Sequence, residues 1–400
     1  MQLDIAAVAP LKSCLGHLDF LGRSDMKTIS CPTCGNAMTK FGKTKAGSQR
    51  WRCKVCNRTQ TIKYSSLHKD FKEFIGYLTS AQTQASMKGG GSSFRRRVKK
   101  FWEIWPIAPV TDVSYDVLYC DAIYAKTAKD QGNVAILIVC TADSEVIGWY
   151  SARSESEDAW VHVLSRIAPP KLVVSDGAKG FLKAVERVWP NTICQRCIFH
   201  VMAAVTRATT LNPRGDAARE LKALSQRLSD NVTVELAQAW VQDFDTWCKS
   251  YKNELSYAEG EPKSKRKRKL RAARALLSNL IADNTLFNYL FVEIDRPLSA
   301  LMYNNYIEGA INSQIKEMWR RHRGQSVIRR IKAAYWWCHE HNPEKLDIDH
   351  AMSVFPTDEM VQDGFHPKKH TIGFSGAPEE WGQAVVWDEF HLHVDYFKID

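Results

Sequence analysis

An α/β core is the fold class this sequence predicts, and three observations predict it. Runs of β-branched and aromatic residues occur at 117–124, 133–141 and 146–151, the last two joined by the turn 142–145. An amphipathic helix at 158–167, a strand at 172–174, a helix at 181–188 that Pro190 stops, and a short strand at 192–195 come next. From about Arg207 to Leu301 the pattern turns almost wholly helical. Three antiparallel strands followed by helix, strand, helix, strand is the element order of an RNase H-like mixed sheet.

That order makes the first and fourth strands neighbours, and each carries an acid. Asp121 lies inside the first strand in a run otherwise apolar or aromatic, and Asp176 falls just past the end of the fourth, before Gly177. Carboxylates at the C-terminal edge of strands are where ligands bind in α/β sheets. Asp176 also suits a plain N-cap of the helix that follows. Two carboxylates held side by side repel unless one takes up a proton or a cation intervenes, and magnesium selects hard oxygen ligands of this kind. A third acid, Glu308, sits in NNYIEGAINSQIK, where Ile307, Ile311, Ile315 and Met318 or Trp319 stripe a helix running to about Arg321. Asn305, Glu308 and Asn312 form a polar edge beside that stripe, and Arg323 belongs to the basic end that follows it and is expected at the same site; Asn305, Asn312 and Arg323 are candidates for contact with DNA.

The positive charge is unevenly placed. Of a net +11 over 400 residues, residues 1–105 hold 19 Lys and Arg against 6 Asp and Glu, so the remainder sums to −2. Nucleic-acid binding is thus first a property of the N-terminal quarter. There Cys31-Pro-Thr-Cys34 and Cys53-Lys-Val-Cys56 have the two-knuckle spacing of one structural zinc ion with all four positions filled by sulfur. Lys40, Lys43, Lys45, Arg50, Trp51 and Arg52 lie between the knuckles, as suits a ribbon touching a phosphate backbone. Three short helical segments between Lys69 and Trp105, with Gly89-Gly90-Gly91-Ser92 before the last, resemble a helix-turn-helix. On the last segment Phe94, Val98, Phe101, Trp102 and Trp105 form the apolar stripe. Arg95, Arg96, Arg97, Lys99 and Lys100 form a basic face for a DNA groove. A second basic run, 263–271, includes Lys265, Arg266, Lys267 and Arg268; such runs are usually solvated loops, and here it is also a DNA-clamp candidate. Cys194, Cys197 and His200 lack an evident fourth ligand for a second zinc.

Taken together, the strand bearing Asp121, VVSDGAKGF with Asp176, QRCIFH with Cys197 and His200, and NNYIEGAINSQIK with Glu308 resemble the transposases of bacterial insertion sequences of the Mutator type, which are DDE enzymes. Asn304 stands where that pattern has Thr. The resemblance implies an RNase H-like catalytic core with an all-helical insertion between the second Asp and the Glu. It also implies two magnesium ions per active site on Asp121, Asp176 and Glu308, and places Cys197 and His200 near that site. The expected organisation is an N-terminal segment (1–30), zinc ribbon (31–62), helix-turn-helix (67–105), first part of the core (115–207), insertion (208–301), last part of the core (302–350) and an acidic C-terminal segment (351–400). The expected activity is cleavage and strand transfer at the ends of an insertion sequence, on double-stranded DNA and by at least a homodimer, since two ends must be paired. A non-catalytic DNA-binding descendant and a nuclease that cuts without joining are the alternatives. With no apolar run near the ~20 residues that span a bilayer and no signal-peptide pattern, a cytoplasmic protein without a membrane partner is expected.

Overall fold

A computed structural model describes residues 29–45, 47–61, 66–126, 133–230, 232–256, 264–304 and 306–360. The expectations for 1–28, Lys263, Asn305 and the acidic segment beyond Met360 lie outside them. Residues up to Ser66 form one compact unit and those from Leu67 onward another.

In the first unit, strands β1 (Met38–Lys43), β2 (Gln49–Cys53) and β3 (Thr59–Thr61) make an antiparallel meander in sequence order. Its small core is Cys31, Met38 and Cys53, with Ile29 and Trp51 packed against them.

The second unit is built on a five-stranded sheet. Its strands are β4 (Val117–Lys126), β5 (Asn133–Thr141), β6 (Val146–Ala152), β7 (Leu172–Ser175) and β8 (Ile193–Arg196), in the order β6-β5-β4-β7-β8. β4, β5 and β6 pair antiparallel, while β7 and β8 are parallel additions beside β4. The parallel pair is possible because α3 (Glu157–Leu164) and α4 (Lys179–Val188) supply the crossovers. Ser156 starts α3 by accepting the Ala159 N–H. Of the apolar residues in β5, Val134 to Cys140 are at most 1% exposed, so both faces of the sheet are covered.

α12 (Val327–Glu340) is buried from Ile331 through His339, as a helix must be when it is packed on all sides. Its Tyr335 hydroxyl bonds Ser151 Oγ of β6 at 2.6 Å, and its Trp336 Nε1 donates to the Phe101 carbonyl at 2.9 Å. α1 (Leu67–Thr79) and α2 (Gly90–Trp102) therefore share one hydrophobic core with the sheet, Phe71 lying 5.1 Å from the Trp336 ring. α2 differs from the expected helix at both ends. It starts at Gly90, after Gly89 in a left-handed conformation, and stops at Trp102, so the buried Trp105 follows the helix.

The segment from α5 to α10 is helical, as the periodicity predicts. α5 (Ile198–Thr209) leaves β8, and α6 (Asp216–Gln226), α7 (Val234–Ser250), α8 (Lys252–Leu255) and α9 (Lys265–Ala282) follow, α9 returning against α5. Leu221, Leu224, Leu228, Trp240 and Phe244 are buried, but Leu236 is 47% exposed and does not join the stripe. The basic run is not the solvated loop such runs usually form: from Lys265 it opens α9, capped by Ser264. After α10 (Leu298–Met302) the chain re-enters the sheet region, where residues Tyr306–Asn312 are π-helical before α11 (Ser313–Arg321). A single α-helix was expected there. α13 (Ile348–Val354) ends the described elements.

Candidate active site and cysteine cluster

The parallel pairing of β4 with β7 sets Cys120 opposite Ser175. Asp121 comes next on β4 and Asp176 is the first residue past the end of β7, which puts the two acids at neighbouring positions, near enough for Asp176 to act on the Asp121 carboxyl. β7 stops there, which leaves the outer half of β4 open along that edge. Asp121 is half-buried; its Oδ1 accepts the Ala122 N–H at 2.8 Å and its Oδ2 accepts from Asn312 Nδ2 at 2.7 Å. Burial first, then the Asp176 and Glu308 carboxylates, push Asp121 up to about 7, against the Ala122 N–H and His200, which oppose the rise. Asp176 Oδ1 accepts the Ala178 N–H at 3.0 Å in the turn before α4, an Asx turn and not the N-cap, since Ala178 occupies that position with no side-chain bond.

Three contacts bring Glu308 to the same place. Asn304, fully buried, donates Nδ2 to the Cys120 carbonyl at 3.2 Å, one residue before Asp121. Its backbone N–H is received by Cys197 Sγ at 3.3 Å. Asn312 reaches Asp121 from the other end of the π-helical stretch. Within this π-helical stretch Ile307 and Ile311 are buried, while Asn312 reaches Asp121 of β4 and the Glu308 carboxylate comes near enough to act on Asp121.

His200 Nε2 lies 2.7 Å from Glu308 Oε1. The Cys197 side chain and Glu308 push the imidazole up to about 10, against the burial that opposes it. His200 in turn holds Glu308 below the usual carboxylate range, helped by Lys316. Among the described residues, the oxygens of Asp121, Asp176 and Glu308 do not all lie within 4.8 Å of one another. Glu308 is turned onto His200 instead. The donor set is hard oxygen, which fits magnesium, and acids that bridge two ions about 3.5–4 Å apart need not converge on one point.

Arg196, at the end of β8, was not anticipated as part of this site. Its side chain lies across Gly177, so that a Cβ there would stand 1.7 Å from Nη1. Among the described residues its Nε is buried without a hydrogen-bond partner. Burial lowers its guanidinium from the ordinary value, while Asp176 acts the other way. Gly177 also has φ +72°, which glycine adopts at little cost. The sequence signal was present in the pair Asp176-Gly177 and in the polar Gln195-Arg196 on an otherwise apolar strand. Gln195 itself fastens β8 to the end of the helical segment: Nε2 donates to the Leu286 carbonyl and Oε1 accepts the Tyr289 N–H.

Several expected DNA contacts are placed differently. Asn312 is 3% exposed and spends its amide on Asp121, inside the protein. Arg97 donates to Glu73 at 2.6 Å and Lys100 to Asp70 at 3.1 Å, which leaves Arg95, Arg96 and Lys99 as the exposed cations of α2. Lys267 Nζ donates to the Ser256 carbonyl, while Lys265, Arg266 and Arg268 are exposed, Arg266 reaching over Gly215. Arg323 is exposed in the turn after α11, whose neighbours Arg321 and His322 bond the Thr79 and Leu78 carbonyls at the end of α1. The basic end of α11 thus meets α1, several turns from the acids.

In the first unit, Sγ of Cys31 lies 3.4 Å from that of Cys56 and Cys34 Sγ lies 3.5 Å from Cys53 Sγ, all four within 4.8 Å of one another. Tetrahedral zinc with Zn–S near 2.3 Å asks for S···S of roughly 3.8 Å, so the cluster is compatible with zinc. The two knuckles repeat one backbone pattern: Cys31 N–H to Asn36 O and Cys53 N–H to Arg58 O, with Gly35 and Asn57 at positive φ.

Fold and site together define an α/β protein that sets one acid on a strand, a second just past the end of its parallel neighbour and a third on a returning helical segment. Residues 84–260 match the family model described as Transposase, Mutator family. This stretch includes Asp121, Asp176, Cys197 and His200, and it ends before Glu308. The chain is 32% identical over 140 residues to a transposase for insertion sequence element IS6120 of Mycolicibacterium smegmatis, covering 33% of this chain and 42% of that protein. It is 23% identical over 159 residues to the transposase for ISRM3 of Rhizobium meliloti (37% and 39%), and 25% identical over 164 residues to that for IS256 in transposon Tn4001 of Staphylococcus aureus (38% and 42%). The matched stretch thus spans about two fifths of the length of these relatives. Among the described residues no helix is long and apolar enough to cross a membrane.

Proposed function

We propose that this chain is a DDE transposase with an RNase H-like core, which binds the ends of an insertion sequence, cleaves a phosphodiester at each and joins the freed 3′ hydroxyl to target DNA. The observation that carries the reading is the register of β4 and β7, which sets Asp121 beside Asp176, with Asn312 tying the Glu308 segment to Asp121. Asp121, Asp176 and Glu308 are the residues that would hold two magnesium ions. Such ions, when bound, supply activation of water or the 3′ hydroxyl and stabilisation of the leaving oxygen.

The chain's own groups do the rest. Asn312 orients Asp121, and Asn304 and Cys197 fix the start of the Glu308 segment. His200 keeps Glu308 ionised and stationary. The thiolate cluster holds one structural zinc in a ribbon which, with the exposed cations of α2, binds DNA. Two ends must be handled together, so at least a homodimer acts. A non-catalytic descendant would have no use for Asn312 held against Asp121 or for His200 held against Glu308.

Purified protein, magnesium, a supercoiled plasmid carrying the element's ends and a target plasmid test the reading. End-to-target joints are expected. Cut ends without joints would point to the nuclease alternative, and an inert mixture with intact DNA binding to the non-catalytic one.

A further inference from the structure

We infer that the cavity between the turn after α1 and the turn joining α11 to α12 binds the phosphodiester backbone of DNA. The inference rests on the proposal that DNA is the substrate and adds a contact site to it. The cavity has a volume of about 460 Å³, and Gln82, Gln84, Arg321, Arg323, Ser326 and Arg329 line it; among the described residues no Asp or Glu does.

Its three guanidinium groups are not equivalent. Arg321 is committed, with Nε on Glu317 at 2.8 Å and Nη1 on the Thr79 carbonyl at 3.0 Å. Among the described residues Arg323 bonds the Arg320 carbonyl alone, at 3.1 Å, and Arg329 lies 5.5 Å over the Trp102 ring. Among the described residues neither of these two has an acidic partner. Two uncompensated cations at one concave, amide-lined surface call for an anion with several acceptor oxygens.

The N-terminus of the 14-residue α12, capped by Ser326, opens at the same place and adds positive potential. The charge also continues outward: Gln84 on the cavity wall accepts from Arg95 Nη1 at 3.3 Å, which joins the site to the exposed cations of α2. A track of this kind suits a polymer of phosphates better than one isolated anion. It lies at the end of α11, the helix that continues from the Glu308 stretch, roughly 20 Å from Glu308 along the chain's helical path, a distance of about six base pairs on duplex DNA.

Fluorescence anisotropy with a 30-base-pair duplex of arbitrary sequence, titrated at several salt concentrations, tests the site. The double variant Arg323→Gln/Arg329→Gln should flatten the slope of log affinity against log salt by about 2. Gln82→Glu, which adds a negative charge at unchanged size, should weaken binding several-fold and carries the test if the double variant fails to fold. Unchanged slope and affinity in folded variants would overturn the site while leaving the functional proposal intact. Absence of any duplex binding by the wild type would overturn both. Preferential displacement of wild-type-bound duplex by a poly-glutamate peptide at equal charge, lost in Gln82→Glu, would assign the cavity to acidic peptides instead.

Discussion

His200 Nε2 and Glu308 Oε1 meet at 2.7 Å although the chain separates them by more than a hundred residues. The imidazole pKa is raised to about 10 and that of the carboxylate is lowered. The signs define a pH window for the metal-free protein. The raised histidine contributes stability fully below its unfolded pKa near 6.5 and loses it as pH rises towards 10. The lowered glutamate contributes above its unfolded pKa near 4.3 and loses this as pH falls. His200→Ala should therefore cost most between about pH 4.5 and 6.5, on the order of 1 kcal/mol for a partly solvated pair. The difference should shrink by pH 9–10, as thermal melts with chelator present at each pH would show. A cost that does not vary with pH would mean that packing, not charge, joins the two.

Asp121 has the opposite sign for a carboxylate, its pKa raised to about 7 by burial and then by its acidic neighbours. Above the unfolded value near 3.9 the ionised form costs stability, increasingly so up to about pH 7. Asp121→Asn should thus melt about 1–3 °C higher than the wild type at pH 8 without metal, a gain that vanishes near pH 4. Magnesium competes with the same proton, so its apparent affinity for the wild type should rise with pH up to about 7 and then level off. Calorimetric titration at pH 6, 7 and 8 measures this.

Much of this site was legible in the sequence. Apolar runs bounded by turn signals marked β4 to β8, and a helical crossover after β6 dictated a parallel neighbour for β4, hence Asp121 beside Asp176. The buried stripe Ile307, Ile311, Ile315 and Met318 was equally visible. The π-helical stretch was not, because its isoleucines four apart fit an ordinary helix as well. Nor were the partners of Arg97 and Lys100, since the acids that claim them, Asp70 and Glu73, lie 24 to 30 residues upstream on another helix. Arg196 escaped for a similar reason: its neighbour across the turn, Gly177, is adjacent only once β7 and β8 pair.

Arg196 and Gly177 make a pair that can be broken from either side. In Gly177→Ala the new methyl would sit 1.7 Å from Arg196 Nη1 on a backbone at φ +72°, so the arginine must move. A stability loss of about 1–2 kcal/mol is expected, with a larger proportional loss of strand cleavage than of DNA binding. Arg196→Lys should reproduce the cleavage defect at smaller cost in stability. Parallel cleavage and denaturation measurements on both variants decide it, and full activity in Gly177→Ala would remove Arg196 from the site.

Zinc is the next expectation, from four sulfurs all within 4.8 Å of one another. Purified protein should carry about one zinc per chain. Cys53→Ser, at a fully buried position, should lower that content and impair DNA binding. The melting of the unit from Leu67 onward should stay unchanged, because the ribbon belongs to the other compact unit. Metal analysis of protein prepared without chelators checks the first point, and calorimetry the second.

The central claim is that Asp121, Asp176 and Glu308 act as one metal site, and magnesium-dependent cleavage by single variants tests it most directly. The comparison acid is Glu317, two turns beyond Glu308 and tied instead to Arg320 and Arg321, which hold it down at about 2. Asp121→Asn, Asp176→Asn and Glu308→Gln should each lose cleavage and joining by roughly 10³-fold or more while still binding end DNA, and Glu317→Gln should keep most of its activity. An active Glu308→Gln protein, above all beside an inactive Glu317→Gln, would contradict the account.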